Sequence, residues 1–170
     1  LSLHDALPIF LPADEQAQLR VVHAVADAPA VDIRVNGVAP TAAPLQGLAF
    51  KGDTGYLELA AADYDLVVTP TGATAPEVIN ASDVPLKAGA RYSLFAVGQL
   101  MGPSGETIEP LLLTDTGRSV ATEAQLRVLH AAPTAPAVDV YLTAGTDIGG
   151  ATPVLKAVPF KADSGYLAVA

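Results

Sequence analysis

An internal repeat constrains the fold of this chain more than any other feature of its sequence. Residues 18–37 read QLRVVHAVADAPAVDIRVNG, and residues 125–145 read QLRVLHAAPTAPAVDVYLTAG. A second element, FKGDTGYL at 50–57, returns as FKADSGYL at 160–167. Because self-similarity marks repeated structural units, we expect tandem copies of one unit, of which the second is truncated.

The two copies define the expected domain organisation. We expect a first repeat over 13–117, a polar linker over 118–124 and a truncated second repeat over 125–170. Short polar segments are typical of boundaries between domains. Residues 1–12 lack the basic n-region of a secretory signal, and we expect them to be an extraneous or disordered leader.

Each copy has the pattern of successive short β-strands. Apolar and polar residues alternate at Val31–Asn36, Tyr64–Thr69 and Val138–Leu142, as in half-buried strands. The 14 prolines oppose helices, since an interior proline removes a helix hydrogen bond. Short strands spaced by turns over roughly 100 residues predict an all-β fold of Ig-like antiparallel β-sandwich repeats. Further strands are expected at Leu19–Val25, Tyr56–Leu59, Glu77–Ala81, Arg91–Val97 and Glu109–Asp115.

The composition excludes several classes of function. The chain has no cysteine, which excludes disulfides, thiolate zinc sites and a catalytic thiol. Its 18 acidic residues against 9 Lys and Arg give a net charge of -9, which opposes binding to a phosphate backbone. We therefore expect no nucleic-acid partner. No apolar run reaches the length of a membrane span, so none is expected in these residues.

The repeated motifs resemble those of the domain-of-unknown-function 4397 family of bacterial and archaeal proteins. The resemblance rests on His23, on Ala28-Pro29-Ala30-Val31-Asp32 and on Gly55-Tyr56-Leu57, and it extends over both copies. It implies a β-sandwich outside the cytoplasm, often in tandem in exported or surface proteins. It carries over no catalytic residue.

His23 and His130 are the first candidate functional residues. Each precedes an aspartate, Asp32 or Asp139, and a His–carboxylate pair is the start of many catalytic and metal sites. Strand alternation, however, places each imidazole on the apolar face. We favour a structural role in which each histidine donates to a backbone carbonyl and fixes its Ala-Pro loop, at Pro29 or Pro136.

The aspartates allow two interpretations. Asp32 and Asp139 could contact a ligand or Ca²⁺, but Ca²⁺ needs six to eight oxygen ligands and no D-x-D-x-D-G loop is present. We favour capping of backbone N–H groups in the preceding turn. Two Asp-Thr/Ser-Gly elements have the composition of turns: Asp53-Thr54-Gly55 and Asp163-Ser164-Gly165.

Three tyrosines could form a binding platform. Tyr56, Tyr141 and Tyr166 are expected to be exposed, where a ring can bind sugar or a partner protein. Packing on the sheet surface is an equal alternative.

Together these features predict a non-catalytic module with no cofactor and no metal, exported to the cell envelope or the extracellular space. Surface display, adhesion or spacing is the expected role, with a cell-surface protein or polysaccharide as partner. One alternative is a carbohydrate- or Ca²⁺-binding module that uses Asp32, Asp139 and the tyrosines. A second is a hydrolase-like enzyme that uses His23 and Asp32.

Overall fold

The computed structural model describes residues 15–103, 106–116 and 122–169, and every regular element in them is a β-strand. The expected leader, residues 1–12, lies outside the described residues, as do residues 118–121 of the expected linker. Below, the first segment means residues 15–116 and the second segment means residues 122–169.

Seven strands form the first segment and four form the second. The first-segment strands are β1 (Gln16–His23), β2 (Val31–Val35), β3 (Leu57–Ala60), β4 (Ala62–Pro70), β5 (Ile79–Leu86), β6 (Arg91–Val97) and β7 (Glu109–Asp115). In β1, alternation puts Ala17, Leu19, Val21 and His23 inward. The second-segment strands are β8 (Ala124–Leu129), β9 (Val138–Val140), β10 (Leu155–Val158) and β11 (Asp163–Val169).

Two sheets enclose the core of the first segment. One has the strand order β3-β1-β6-β7 and the other has the order β2-β4-β5. Leu19 and Leu94 from the first sheet and Ile33 and Leu66 from the second belong to one buried cluster, and none of them is more than 1% exposed. The all-β prediction is therefore confirmed, and the arrangement is consistent with a β-sandwich.

One pairing differs from the predicted antiparallel sheets. β1 and β6 run parallel, with Gln18 opposite Arg91 and His23 opposite Ala96. Parallel neighbours need a long crossover, and here the chain between them passes through the other sheet. The Ig-like strand order remains a prediction.

Most predicted strands are present, but one predicted turn is not. Arg91–Val97 and Glu109–Asp115 match β6 and β7 at both ends. Asp163-Ser164-Gly165, expected as a turn, instead begins β11, where the register to β8 shifts between Asp163 and Tyr166. A β-bulge explains this difference, because it accommodates a left-handed glycine within a strand.

The second segment forms two small sheets, β11-β8 and β10-β9. Its apolar side chains are less covered than those of the first segment, with Leu142 46% and Ile148 53% exposed. No helix in the described ranges is long and apolar enough to cross a membrane.

Candidate functional site

His23 lies at the end of β1 with its imidazole in the core and only 2% of its surface exposed. Its Nε2 donates to the Pro29 carbonyl at 3.0 Å, and its Nδ1 accepts from the Val25 N–H at 3.3 Å. Because a carbonyl can only accept and an amide N–H can only donate, these partners select the neutral tautomer protonated at Nε2. The expected hydrogen bond from the imidazole to the Ala-Pro loop is therefore present, and both ring nitrogens are occupied.

His130 repeats this arrangement in the second segment. Its Nε2 lies 3.1 Å from the Pro136 carbonyl, and its Nδ1 accepts from the Ala132 N–H at 3.3 Å. Each imidazole also meets a phenylalanine edge to face, with ring centroids 6.2 Å apart for His23 and Phe50 and 6.4 Å apart for His130 and Phe160. The two motifs thus share one local structure as well as one sequence.

The Asp-Thr/Ser-Gly elements stabilise the same two strands, β1 and β8. The Thr54 hydroxyl accepts from the Val21 N–H at 3.0 Å and donates to the Gly55 carbonyl. Ser164 does the same with the Val128 N–H, at 2.9 Å, and the Gly165 carbonyl. The glycines have φ values of +66° and +64°, a left-handed conformation that favours glycine.

The aspartates of the two Asp-Thr/Ser-Gly elements have different partners. Asp53 Oδ1 accepts from the Gly55 N–H at 2.8 Å, which closes a local turn. Asp163 instead faces the guanidinium of Arg127.

Asp32 is buried, with 7% of its surface exposed, and binds two loops that are distant in sequence. Its Oδ1 accepts from the Gly47 N–H at 2.8 Å, and its Oδ2 accepts from the Gly72 N–H at 2.9 Å. These bonds, led by the one from Gly72, hold the pKa of Asp32 below its usual 3.8. The aspartate caps backbone N–H groups as expected, but the assignment to the preceding turn was wrong. The turns it caps are brought to β2 by the sheet, which a local pattern could not reveal.

Asp139 makes the corresponding bond in the second segment. Its Oδ1 accepts from the Ala157 N–H at 2.7 Å, and its side chain is exposed. Asp32 accepts from loop amides and His23 donates to Pro29, so the structure does not join Asp32 and His23 as an acid–base pair.

The carboxylate of Asp115, at the end of β7, is the centre of a buried polar cluster that sequence analysis missed. Its Oδ2 accepts from the Tyr56 hydroxyl at 2.8 Å and from the Ser93 hydroxyl. Its Oδ1 accepts from the Tyr166 hydroxyl at 3.0 Å and from Arg127 Nη1 at 2.9 Å. A carboxylate offers about four lone-pair sites, so these four donors fill its capacity to accept.

Two arginines extend the cluster within the first segment. Arg20 donates to the Ser93 hydroxyl from Nε at 3.1 Å and from Nη2 at 2.9 Å. The guanidinium carbons of Arg20 and Arg91 lie 5.0 Å and 4.9 Å from the centroid of the Tyr56 ring, as in cation–π pairs. The Asp115 cluster consists of Arg20, Tyr56, Arg91, Ser93, Asp115, Arg127 and Tyr166.

Arg127 connects the Asp115 cluster to the second segment. Its guanidinium carbon lies 4.6 Å from the centroid of the Tyr166 ring. Its Nε lies 2.8 Å from Asp163 Oδ1, but the two atoms do not have hydrogen-bond geometry, so this contact is electrostatic. Arg127 therefore pairs with one carboxylate of the first segment, that of Asp115, and one of the second, that of Asp163.

The surroundings of Asp115 make its carboxylate a weak base. Burial opposes the charge, but the hydrogen bonds from Ser93, Tyr56 and Tyr166 and the positive charge of Arg20 outweigh it, and the pKa of Asp115 is below 3.8. Burial raises the pKa of both tyrosines above 10.0, and the hydrogen bond to Asp115 raises it further. The Asp115 carboxylate already accepts four hydrogen bonds and has a lowered pKa. These properties suit a structural role better than the role of a proton acceptor.

The predicted tyrosine platform is not assembled as one surface with the aspartates. Tyr56 is 38% exposed, but its hydroxyl and that of Tyr166 are both bonded to Asp115. Tyr141 is half-buried. Asp32 lies on β2, in the three-stranded sheet, and its carboxylate bonds to the loops at Gly47 and Gly72. Arg20 and Arg127 occupy corresponding positions of the repeated motif, which was the available signal for the cluster, whereas Asp115 lies outside the repeated stretches.

A cleft of about 490 Å³ separates the two histidine regions. Its walls are mostly apolar and include His23 and Phe50 from the first segment and Ala131 and Pro133 from the second. Among the residues that the structure describes, no group of three or more acidic, histidine or cysteine side chains could hold a metal ion.

Comparison with known proteins identifies one family. The model of the family described as Domain of unknown function (DUF4397) matches residues 17–141, which is more than half of the chain. The match continues through residues 118–124 and ends just after β9. No curated protein matches the chain.

Proposed function

The chain belongs to the DUF4397 family, and we propose that it is a non-catalytic spacer module, exported to the cell envelope or the extracellular space. In this role it holds a surface-displayed or adhesive partner at a fixed distance, and its contacts are with cell-surface protein or polysaccharide. The repeated sequence supports a construction from tandem units joined end to end.

The observation that carries the proposal is the position of the Asp115 carboxylate between the segments. It accepts from Tyr56 and Ser93 of the first segment and from Tyr166 and Arg127 of the second. A buried carboxylate with four donors stabilises one relative orientation, because rotation of the segments would leave this desolvated charge without its partners. A spacer needs such a fixed joint, and a flexible linker would not supply it.

The state of the histidines and aspartates also favours a structural role over the enzymatic alternative. Both ring nitrogens of His23 are bonded to backbone groups, and both carboxylate oxygens of Asp32 accept from loop amides. A general base needs a free lone pair within reach of its substrate. His23 offers none in this arrangement, and the amide hydrogen bonds that lower the pKa of Asp32 make its carboxylate a weak base.

Double electron–electron resonance tests the fixed joint directly. The chain has no cysteine, so Ser82→Cys and Thr146→Cys, both at exposed positions, place one spin label on each segment. We expect one narrow distance distribution in the parent chain and a broad one after Asp115→Asn, with unchanged circular dichroism. Glu109→Gln is the matched control, because it removes one charge from the more exposed ion pair with Lys161 across the same junction.

A broad distribution in the parent chain would overturn the spacer proposal. An equally narrow distribution in Asp115→Asn would show that Asp115 does not fix the joint. Broadening of equal size in Glu109→Gln would assign the rigidity to surface charge in general rather than to the buried cluster.

A further inference from the structure

The turn that follows β2 contains the one Asn-Gly pair of the sequence, Asn36-Gly37. The Gly37 backbone nitrogen can attack Cγ of the Asn36 side chain and close a five-membered succinimide ring. Glycine hinders this attack least of all residues, because it has no Cβ. Both residues are exposed, so water reaches the pair.

The reaction at this pair needs only a base and water. The base takes the Gly37 N–H proton, the nitrogen electron pair forms a bond to Cγ of Asn36, and the Cγ–Nδ2 bond breaks. The Nδ2 nitrogen takes up a proton and leaves as ammonia. Water then opens the ring, and nothing is oxidised or reduced. Opening at Cγ gives aspartate, and opening at the main-chain carbonyl gives isoaspartate, in which the main chain passes through Cβ and Cγ.

The folded turn keeps the two reacting atoms apart. Asn36 and Gly37 have φ values of +49° and +75°, and the Val38 N–H donates to the Val35 carbonyl at 3.0 Å, as in a type I′ turn. In such a turn ψ of the first central residue is about +30°, which places the next nitrogen opposite Cβ across the Cα–C bond. Ring closure needs this nitrogen on the same side as Cβ, so the turn must open before Asn36 reacts.

Asp65, on β4, holds Asn36 in the unreactive conformation through both of its backbone groups. The Asn36 N–H donates to the Asp65 carbonyl at 2.8 Å, and the Asn36 Oδ1 accepts from the Asp65 N–H at 3.0 Å. The second bond fixes the side-chain amide that Gly37 would attack. The reaction therefore requires a local opening that separates the turn from β4.

We propose that Asn36 is a modification site, converted to aspartate and isoaspartate by the Gly37 nitrogen, and that the folded turn restricts this conversion to chains in which the turn has opened. Isoaspartate adds a carbon atom to the main chain, so a chain that contains it cannot close the same two-residue turn. The modification thus makes a transient opening permanent. It does not depend on the spacer function.

Mass spectrometry of tryptic fragments measures the conversion while the full chain is incubated in mildly alkaline buffer. We expect Asn36 in the folded chain to convert at least about tenfold more slowly than in a synthetic peptide of residues 31–42, because opening must precede the reaction. Trypsin places the other asparagine, Asn80, in a separate fragment, where it is followed by alanine. Asn80 is the internal control and should convert more slowly than Asn36 of the peptide.

Two variants of the full chain test the control by the turn. Val38→Pro removes the N–H that donates to Val35, at a position that is 70% exposed, and Val38→Ala keeps this N–H. Each rate is divided by the rate in the peptide with the same substitution. We expect the ratio to be about tenfold higher for Val38→Pro than for Val38→Ala, with unchanged circular dichroism.

Hydrogen exchange of the Asp65 amide measures the opening in the parent chain without any substitution. As urea is added, the exchange rate of this amide and the conversion rate of Asn36 should rise together. Conversion in the folded parent chain at the rate of the peptide would overturn the proposal, as would equal ratios in the two folded variants. The parent chain and the peptide decide the question by themselves where Val38→Pro alters the fold.

Discussion

The hydroxyl of Tyr166 donates a 3.0 Å hydrogen bond to Asp115, although 51 positions separate the two residues in sequence. Tyr56, the sequence counterpart of Tyr166, donates to the other oxygen of the same carboxylate at 2.8 Å. One aspartate thus receives the same side chain from each segment. This shared acceptor couples the ionisation of three groups, and that coupling can be measured.

The phenols of Tyr56 and Tyr166 should ionise above pH 10.0, because burial and the Asp115 carboxylate both raise their pKa. A pKa raised in the folded state means that the stabilisation is complete below pH 10 and is lost as the pH rises through the folded pKa. Absorbance titration of tyrosinate should show ionisation of Tyr56 and Tyr166 that continues above pH 10. Asp115→Asn should move these two pKa values towards 10, and a titration unchanged by this substitution would contradict the assignment.

Asp115 should stabilise the fold above about pH 4 and lose this effect in acid. Its pKa is lowered in the folded state, so its contribution is present above the unfolded value near 3.8 and falls as the pH drops through the folded pKa. At neutral pH, Asp115→Asn should lower the free energy of unfolding by about 1–3 kcal/mol, the usual cost of a buried hydrogen bond to a charged group. Urea denaturation at several pH values measures the difference in the free energy of unfolding between the parent chain and Asp115→Asn. A difference that stays constant below pH 4 would exclude the carboxylate charge as its source.

The fold was predictable from sequence because it depends on alternation and turn residues, which are local. β6 and β7 follow their apolar patterns from end to end, and the hydrogen bond from His23 to the Ala-Pro loop followed from strand parity. The donors to Asp32 were not predictable, because Gly72 reaches it only after β2 and β4 pair, and Gly47 only after Leu48 forms a bridge with Val31. Asp115 could not be found for the same reason, since every donor it accepts from is distant in sequence.

Replacing His23 by leucine should test the structural role of the imidazole. Leucine fills a similar volume but leaves the Pro29 carbonyl and the Val25 N–H without their partner. Because unpaired buried backbone groups cost about 1–3 kcal/mol, we expect a loss of that size in urea denaturation. His130→Leu is the matched variant and should cost less, because its surroundings are more exposed. An unchanged stability of His23→Leu would contradict the role assigned here.

The Thr54 hydroxyl should stabilise β1 through the Val21 N–H. Thr54→Val keeps the branched shape and removes the acceptor, so we expect a loss of about 1–3 kcal/mol. Thr54→Ser keeps the hydroxyl and should retain most of the stability. A larger loss in Thr54→Ser than in Thr54→Val, measured by thermal denaturation, would assign the effect to the methyl group instead.

Gly98, which follows β6, should tolerate no side chain. Its φ is +111°, and a Cβ there would lie 2.4 Å from the Thr107 carbonyl oxygen and 2.8 Å from that of Glu106. Gly89 has a φ of +71° with open space where a Cβ would lie, so Gly89→Ala isolates the backbone strain at about 1 kcal/mol. Gly98→Ala adds a clash with backbone atoms that cannot rotate away, which should cost about 1–3 kcal/mol more. Thermal denaturation of the two variants side by side measures this difference, and equal losses would show that the loop at Thr107 moves freely away from β6.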